Sequence, residues 1–263
     1  MTPMLRALIP DGLKERYRRL RRVMEHAGNR RRSAEEVFTS IYARNQWGGR
    51  AGEFCSGSGS QSAAITDPYV AAIKELADQA GFRGAAFVDL GCGDFAVGQR
   101  LLPLCSSYTG VDVVRPLLER NREQFGNATT KFLHLDIAEA ELPQGDVCFI
   151  RQVLQHLSIA QISAVLAKLA RYRWVLITEH HPSDNPDIVP NRDKIHGGDV
   201  RVLDNSGVYV CAPPFDLPME SVSSVVAVEG SNMGVGRDRG VIRTVLYEPR
   251  RQTGGATRPV IAQ

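Results

Sequence analysis

The chain has 263 residues, 43% of them hydrophobic and 23% charged, with a formal charge of +3. That is the profile of an ordinary soluble globular protein, and no apolar run approaches the roughly 20 residues that a membrane-spanning helix needs. Five cysteines (Cys55, Cys92, Cys105, Cys148 and Cys211) are odd in number and never spaced as C-x-x-C, which argues against a disulfide framework and a structural zinc site.

The opening "MTPMLRALIPDG" has no small-residue cleavage site and reads as no secretory signal, so a cytoplasmic protein is expected. Charge is uneven. Residues 14–32 hold nine Lys/Arg against two Glu, leaving about −4 on the rest. A helix is predicted from Leu13 to His26, with Leu13, Tyr17, Leu20, Val23 and Met24 on one stripe. Ser33 and Glu36 form a capping box ahead of an apolar face of Val37, Phe38, Ile41 and Tyr42. The Gly/Ser-rich stretch 45–60 reads as a linker or as a loop closing over a ligand, and Trp47 suits the second.

Asp67-Pro68 predicts the start of the next helix and Gly81 its stop. From there short apolar strands alternate with helices. Strands are expected at 85–90, 108–113, 131–136, 146–151 and 174–179, with a helix at Phe95–Leu102, one opened by Pro116, and one capped by Ser158 and Gln161. Two further strands, 220–229 and 241–248, have no helix between them and predict an antiparallel hairpin. The expected fold class is α/β: a doubly wound, mostly parallel, seven-stranded Rossmann-like sheet with a C-terminal antiparallel hairpin and an N-terminal helical arm. Its expected divisions are 1–62 for the arm and Gly/Ser lid, 63–250 for the domain, and 251–263 for a disordered tail.

"VDLGCGDFAVG", residues 88–98, places three glycines after the first strand. Gly91, Gly93 and Ala96 satisfy G-x-G-x-x-A, so a dinucleotide is formally possible. Asp89 and Asp94 oppose it, because each would repel a pyrophosphate by about 1 kcal/mol or more. S-adenosylmethionine reverses the sign: it carries an ammonium and a sulfonium and no phosphate. Helix N–H groups after the loop are expected to hold its carboxylate.

The same stretch resembles the first motif, E/D-x-G-x-G, of the class I S-adenosylmethionine-dependent methyltransferases, in a stand-alone bacterial form. The resemblance runs from about Ala63 to Pro249. It implies that Asp89, Gly91, Cys92 and Gly93 meet the cofactor. Asp112 would take the ribose hydroxyls with Val113 beside it at the cofactor, Asp136 and Ile137 the adenine edge and face, and Arg151 and Gln152 would sit beside the cofactor. The "WGG…SGSGS" lead-in and an HGGD insertion also look like features of such enzymes and suggest a lid made from the arm.

Methyl transfer is an in-line displacement, so an enzyme supplies orientation and, for an oxygen or nitrogen acceptor, a base. The candidate bases are His156 after strand four, His181 in "EHHP" after strand five, and His196 in "KIHGGDVR". Arg201 in that insertion is a candidate partner for an acceptor carboxylate or phosphate. No metal is expected, since adjacent histidines rarely point the same way. The expected function is methylation of a small molecule or sugar-like metabolite at O or N, with S-adenosyl-L-methionine as cofactor and no membrane partner. Alternatives are an RNA methyltransferase using residues 14–32, and a non-catalytic nucleotide-binding domain.

Overall fold

A computed structural model describes residues 24–230 and 240–249 of the chain. Residues 24–29 are helical, so the predicted arm helix is seen only at its end; the rest of it, the tip of the final hairpin and the tail at 251–263 lie outside the described residues.

α1 (Ala34–Ala43) starts at Ser33, whose hydroxyl accepts from Glu36 N–H while the Glu36 carboxylate accepts from Ser33 N–H. It buries Val37, Phe38, Ile41 and Tyr42, as its periodicity requires. The short helix α2 (Ser58–Gln61) leads into α3 (Ala63–Ala80). α3 begins at Ser62, five residues before the expected Asp67. Pro68 is its sixth residue, in the second turn, and forfeits the hydrogen bond that an N–H there would make to Ala64 O. Asp67 instead pairs with Arg100 at 2.7 Å. Gly81 ends the helix in the left-handed conformation, as expected.

Seven strands follow: β1 (Ala86–Leu90), β2 (Ser107–Asp112), β3 (Thr130–His134), β4 (Val147–Arg151), β5 (Trp174–His181), β6 (Val222–Glu229) and β7 (Val241–Tyr247). They form one sheet in the order β3-β2-β1-β4-β5-β7-β6. The first five pair in parallel, and β7 runs antiparallel to both β5 and β6. Alternation along the strands sorts the core into two layers. Val88, Leu90, Val111, Cys148 and Ile150 pack with α1 and with α5 (Ile159–Leu166) on one face. Phe87, Tyr108, Phe149 and Leu176 pack with α3 on the other. α4 (Arg115–Phe125) feeds both through Leu117 and Leu118. Because α1 shares a core with the sheet, the stretch 34–43 is part of the domain's packing rather than a separate arm.

The helix expected at Phe95–Leu102 does not form. The chain makes turns and two short 3₁₀ segments, Gly98–Arg100 and Leu102–Leu104. Phe95 takes φ +63° and drives its ring between Tyr108, Phe125 and Phe132, with centroids 5.0–5.2 Å away. Burial of that ring outweighs local helix propensity. One consequence is that no α-helix N-terminus stands behind the glycine loop to hold a carboxylate. All five cysteines are free thiols.

Candidate active site

The parallel strands end together, and β1 and β4 are the neighbours at which strand order reverses. In such sheets the ligand crevice lies outside the strand carboxyl ends at that reversal. A cavity is found there. Gly91, Cys92 and Gly93 line it from the loop after β1, Asp112 and Val113 from β2, Asp136 and Ile137 from beyond β3, and Arg151, Gln152 and His156 from β4 onward. Asp89 lines a smaller adjoining hollow that shares Ser60, Gly91, Cys92 and Arg151 as walls.

Asp112 accepts from Gly93 N–H at 3.1 Å and Val114 N–H at 3.0 Å, and still faces the cavity. Burial raises its carboxyl above the ordinary range, against the pull of those N–H groups. Asp136 accepts from Ala138 N–H at 2.8 Å. Asp89 is buried and accepts from the Tyr108 hydroxyl at 2.7 Å; burial pushes it up to about 6, although the Tyr108 bond and Arg151 oppose the rise. Arg151 donates to Gly59 O at 2.6 Å and Ser60 Oγ at 3.3 Å, with its guanidinium 4.9 Å from the centre of the Tyr69 ring.

The glycines serve the protein before any ligand. Gly91 and Gly93 have φ of +82° and +54°. A Cβ on Gly91 would overlap the Val153 isopropyl group, and one on Gly93 would overlap Ser56 Oγ. Gly91→Ala should therefore cost about 2 kcal/mol or more of stability, read as a lower urea midpoint at unchanged slope.

The Gly/Ser segment does close over this loop, through Asp94. Its carboxylate accepts from Ser56 N–H at 2.7 Å and Gln61 Nε2 at 2.6 Å, while its own N–H donates to Ser56 Oγ at 2.8 Å. The other wall comes from α1 and Trp47. The indole stands 5.2 Å from Tyr42 and 5.1 Å from His156, and its Nε1 donates to Gly198 O at 3.0 Å.

The three candidate bases part company. His156 lines the cavity. Its Nδ1 lies 3.1 Å from Gly197 O and 3.3 Å from Asp199 O. Burial, helped by Lys194, lowers its pKa to about 4, so the imidazole is neutral at pH 7. His181 does not line the cavity; it packs edge-on to Tyr209 at 4.7 Å, and its neighbour His180 takes the cavity wall. Successive strand residues point to opposite faces, so only one of the pair can do so. His196 is also outside: its Nε2 donates to Arg32 O at 3.0 Å and its carbonyl accepts from Asn29 at 3.1 Å.

Arg201 is fully buried and spent on the carbonyls of Leu157, at 2.6 Å, and Arg192. It therefore braces the insertion. Asp199 is paired with His26 at 3.1 Å and Lys194 at 2.7 Å. Burial alone would raise its carboxyl, but these partners outweigh that and hold it well below the usual carboxylate range.

His181 offers a pH test. Burial, with Arg243, lowers its pKa from 6.5 to about 4. Between those values the unfolded chain binds a proton that the fold refuses, so stability falls as pH drops through that window. His181→Asn should remove that share, about 3 kcal/mol, from the loss between pH 7 and pH 4, measured by urea unfolding at both.

Sequence reasoning missed Gln155 and Val200 as cavity walls, had Ser56–Ser60 only within the stretch read as a linker or a ligand-closing loop, and found Phe38 and Tyr42 only as core. Among the described residues no group of three or more His, Cys, Asp or Glu is placed to hold a metal ion, and no helix is long and apolar enough to cross a membrane.

S-adenosylmethionine fits these walls. Asp112 and Asp136 are acceptors for hydroxyl and amine donors, Ile137 is apolar, and Arg151, the one Lys or Arg on the wall among the described residues, already donates to Gly59 and Ser60. Residues 88–172 match the family model described as a methyltransferase domain. The match covers about a third of the chain, the part that runs from β1 to the start of β5 and carries the acids at the strand ends.

An uncharacterized methyltransferase of Mycobacterium tuberculosis (strain ATCC 25618 / H37Rv) is 38% identical over 72 residues, which is 27% of this chain and 36% of that protein. A counterpart from Mycobacterium bovis matches equally. The chain thus spans about a third of the length of the curated relatives it matches. Among solved structures, the DhpI–SAH complex covers 81% of this chain and 96% of its own, with TM-score 0.51 and 14% identity, a likeness of fold. The N-methyltransferase NodS from Bradyrhizobium japonicum WM9 covers 73% and 99%, with TM-score 0.48 and 12% identity.

Proposed function

We propose that the protein transfers a methyl group from S-adenosylmethionine to a nitrogen or oxygen of a small molecule. The observation that carries this reading is the set of acids at the ends of β1, β2 and β3, around a cavity where, among the described residues, Arg151 is the one Lys or Arg and donates to protein groups. A diphosphate would meet carboxylates there with nothing to neutralise it. When bound, S-adenosylmethionine supplies an electrophilic methyl on a sulfonium.

The chain's own part is to bind, orient and exclude water. Asp112 and Asp136 take hydroxyl and amine donors. Trp47, Phe38 and Tyr42 cover the β4 side, which shuts out water and bulky acceptors. His156, neutral at pH 7, keeps its proton on Nδ1 for the Gly197 and Asp199 carbonyls, and its Nε2 lone pair, which the Gln155 NH₂ faces at a long 3.5 Å, receives the acceptor's proton. With a pKa near 4 it is a weak base, so the proton would leave the acceptor in step with the new bond rather than before it.

Calorimetry with S-adenosylmethionine and with NAD tests the cofactor half; tighter binding of NAD overturns it. Incubation with isotopically labelled S-adenosylmethionine and a metabolite extract tests the acceptor half. Label is expected in a small molecule, and label found only in RNA would refute it.

A further inference from the structure

Among the described residues, three buried polar atoms on residues lining the β4 end of the cavity have no hydrogen-bond partner: Arg151 Nε and Gln152 Nε2, which are donors, and Gln155 Oε1, which is an acceptor. Gln155 is 1% exposed, lines the cavity, and its Oε1 has no hydrogen-bond partner. The orientation of its amide is fixed by chemistry. Nε2 stands 3.4 Å from Gln152 O and 3.5 Å from His156 Nε2. Because His156 Nδ1 faces two carbonyls, Nδ1 carries the ring proton and Nε2 is an acceptor. Two acceptors therefore meet the Gln155 NH₂. Turning the amide over would set its oxygen against both. A buried carbonyl oxygen without a donor costs about 1–3 kcal/mol, so such an atom marks a place where a ligand supplies the donor.

The surroundings narrow that ligand. Phe38, Trp47 and His156 put three rings on this end of the cavity, with Trp47 6.1 Å from Phe38 and 5.1 Å from His156. Among the described residues the charged groups near it are held by protein partners, Arg151 through its two terminal nitrogens though not through Nε. Glu179 accepts from the N–H groups of Val153, Leu154 and Gln155. Lys194 and Asp199 pair with each other, and Arg201 is held by carbonyls. Asp112 is on β2, two strands from β4, or roughly 10 Å at the usual strand spacing. An acceptor with a formal charge would be desolvated here without a partner.

We propose that the methyl acceptor is an uncharged, ring-bearing molecule whose N–H or O–H donates to Gln155 Oε1 against the rings of Phe38, Trp47 and His156. Gln155 is then the residue that selects the acceptor. The inference rests on the methyltransferase reading and adds the acceptor's chemistry to it.

The test uses the full chain saturated with S-adenosylhomocysteine and ligand-detected NMR with four probes. Indole carries the donor, 1-methylindole lacks it, and benzoate and benzylammonium carry charge. Indole is expected to bind about tenfold more tightly than 1-methylindole, the factor set by one unpaired buried oxygen, and both charged probes more weakly still. Gln155→Met should erase the indole preference while leaving S-adenosylhomocysteine binding unchanged. Gln155→Glu should shift preference toward benzylammonium, which a mere loss of packing would not do. Equal binding of the two indoles, tighter binding of a charged probe, failure of indole to bind, or a preference that survives Gln155→Met overturns the proposal. Failure of S-adenosylhomocysteine itself to bind overturns the methyltransferase reading and this inference with it. Cofactor binding without probe selection overturns this inference alone.

Discussion

Asp112→Ala should weaken S-adenosylhomocysteine binding about a hundredfold in calorimetry, the effect of removing charge-assisted hydrogen bonds worth about 2–3 kcal/mol. The site gives this residue an unusual share of the work. It lines the cavity while tying the glycine loop to the start of α4 through Gly93 and Val114. Alanine therefore removes the ligand's acceptor and loosens the loop together. Asp112→Asn is milder, because it removes the charge but keeps one of the two oxygens that hold the Gly93 and Val114 N–H groups. A loss nearer tenfold is expected for it, with a smaller fall in melting temperature than for alanine. If both variants bind as the wild type does, Asp112 belongs to the loop alone.

Glu179→Ala should be the most damaging single change to the fold. The carboxylate is 1% exposed and accepts from three consecutive backbone N–H groups at 2.8–3.2 Å. These are the donors of the 3₁₀ turn Leu154–His156, which would otherwise be buried with nothing to bond. Alanine should cost about 4 kcal/mol, or about 10 °C in melting temperature for a domain of this size. His156 and Gln155 ride on that turn, so the cavity should be distorted as well.

The sign of the pH effect follows from burial, which pushes Glu179 up to about 8 against its three N–H bonds. Between the ordinary value and 8 the fold keeps a proton that the unfolded chain has released. Stability contributed by Glu179 is thus greatest below that window and is lost as pH rises through it. Glu179→Gln does not titrate and should flatten the fall, as seen in urea midpoints measured from pH 5 to pH 9.

The acids after the first three strands were legible in the sequence because each closes a short apolar run, and a strand end fixes where its next side chain goes. Asp89, Asp112 and Asp136 all lie at the expected edge of the sheet. Phe95 was not legible: its stretch reads as a helix locally, and only the aromatic pocket of Tyr108, Phe125 and Phe132, drawn from three distant segments, holds it otherwise. Pro68 misled for the opposite reason, since a cap signal and an interior proline look alike when the helix already has a start at Ser62. His180 and His181 were separable only by knowing which face of β5 borders the cavity. Gln155 carried no signal at all, because its importance lies in what it fails to bond.

The bonds that join Trp47 to Gly198, His26 to Asp199 and Asn29 to His196 connect positions more than 150 residues apart. Ribosomes release chains from the N-terminus at about 5–20 residues per second, so residues 26–47 wait for their partners for roughly ten seconds or more. Until residue 199 emerges, the nascent protein has β1, β2, β3 and β4 with their ring of acids but no ceiling above His156. On the proposed function, the side of the crevice assigned to the donor thus emerges before the side assigned to the acceptor, and a chain arrested between the two is expected to bind the donor with the acceptor end still open.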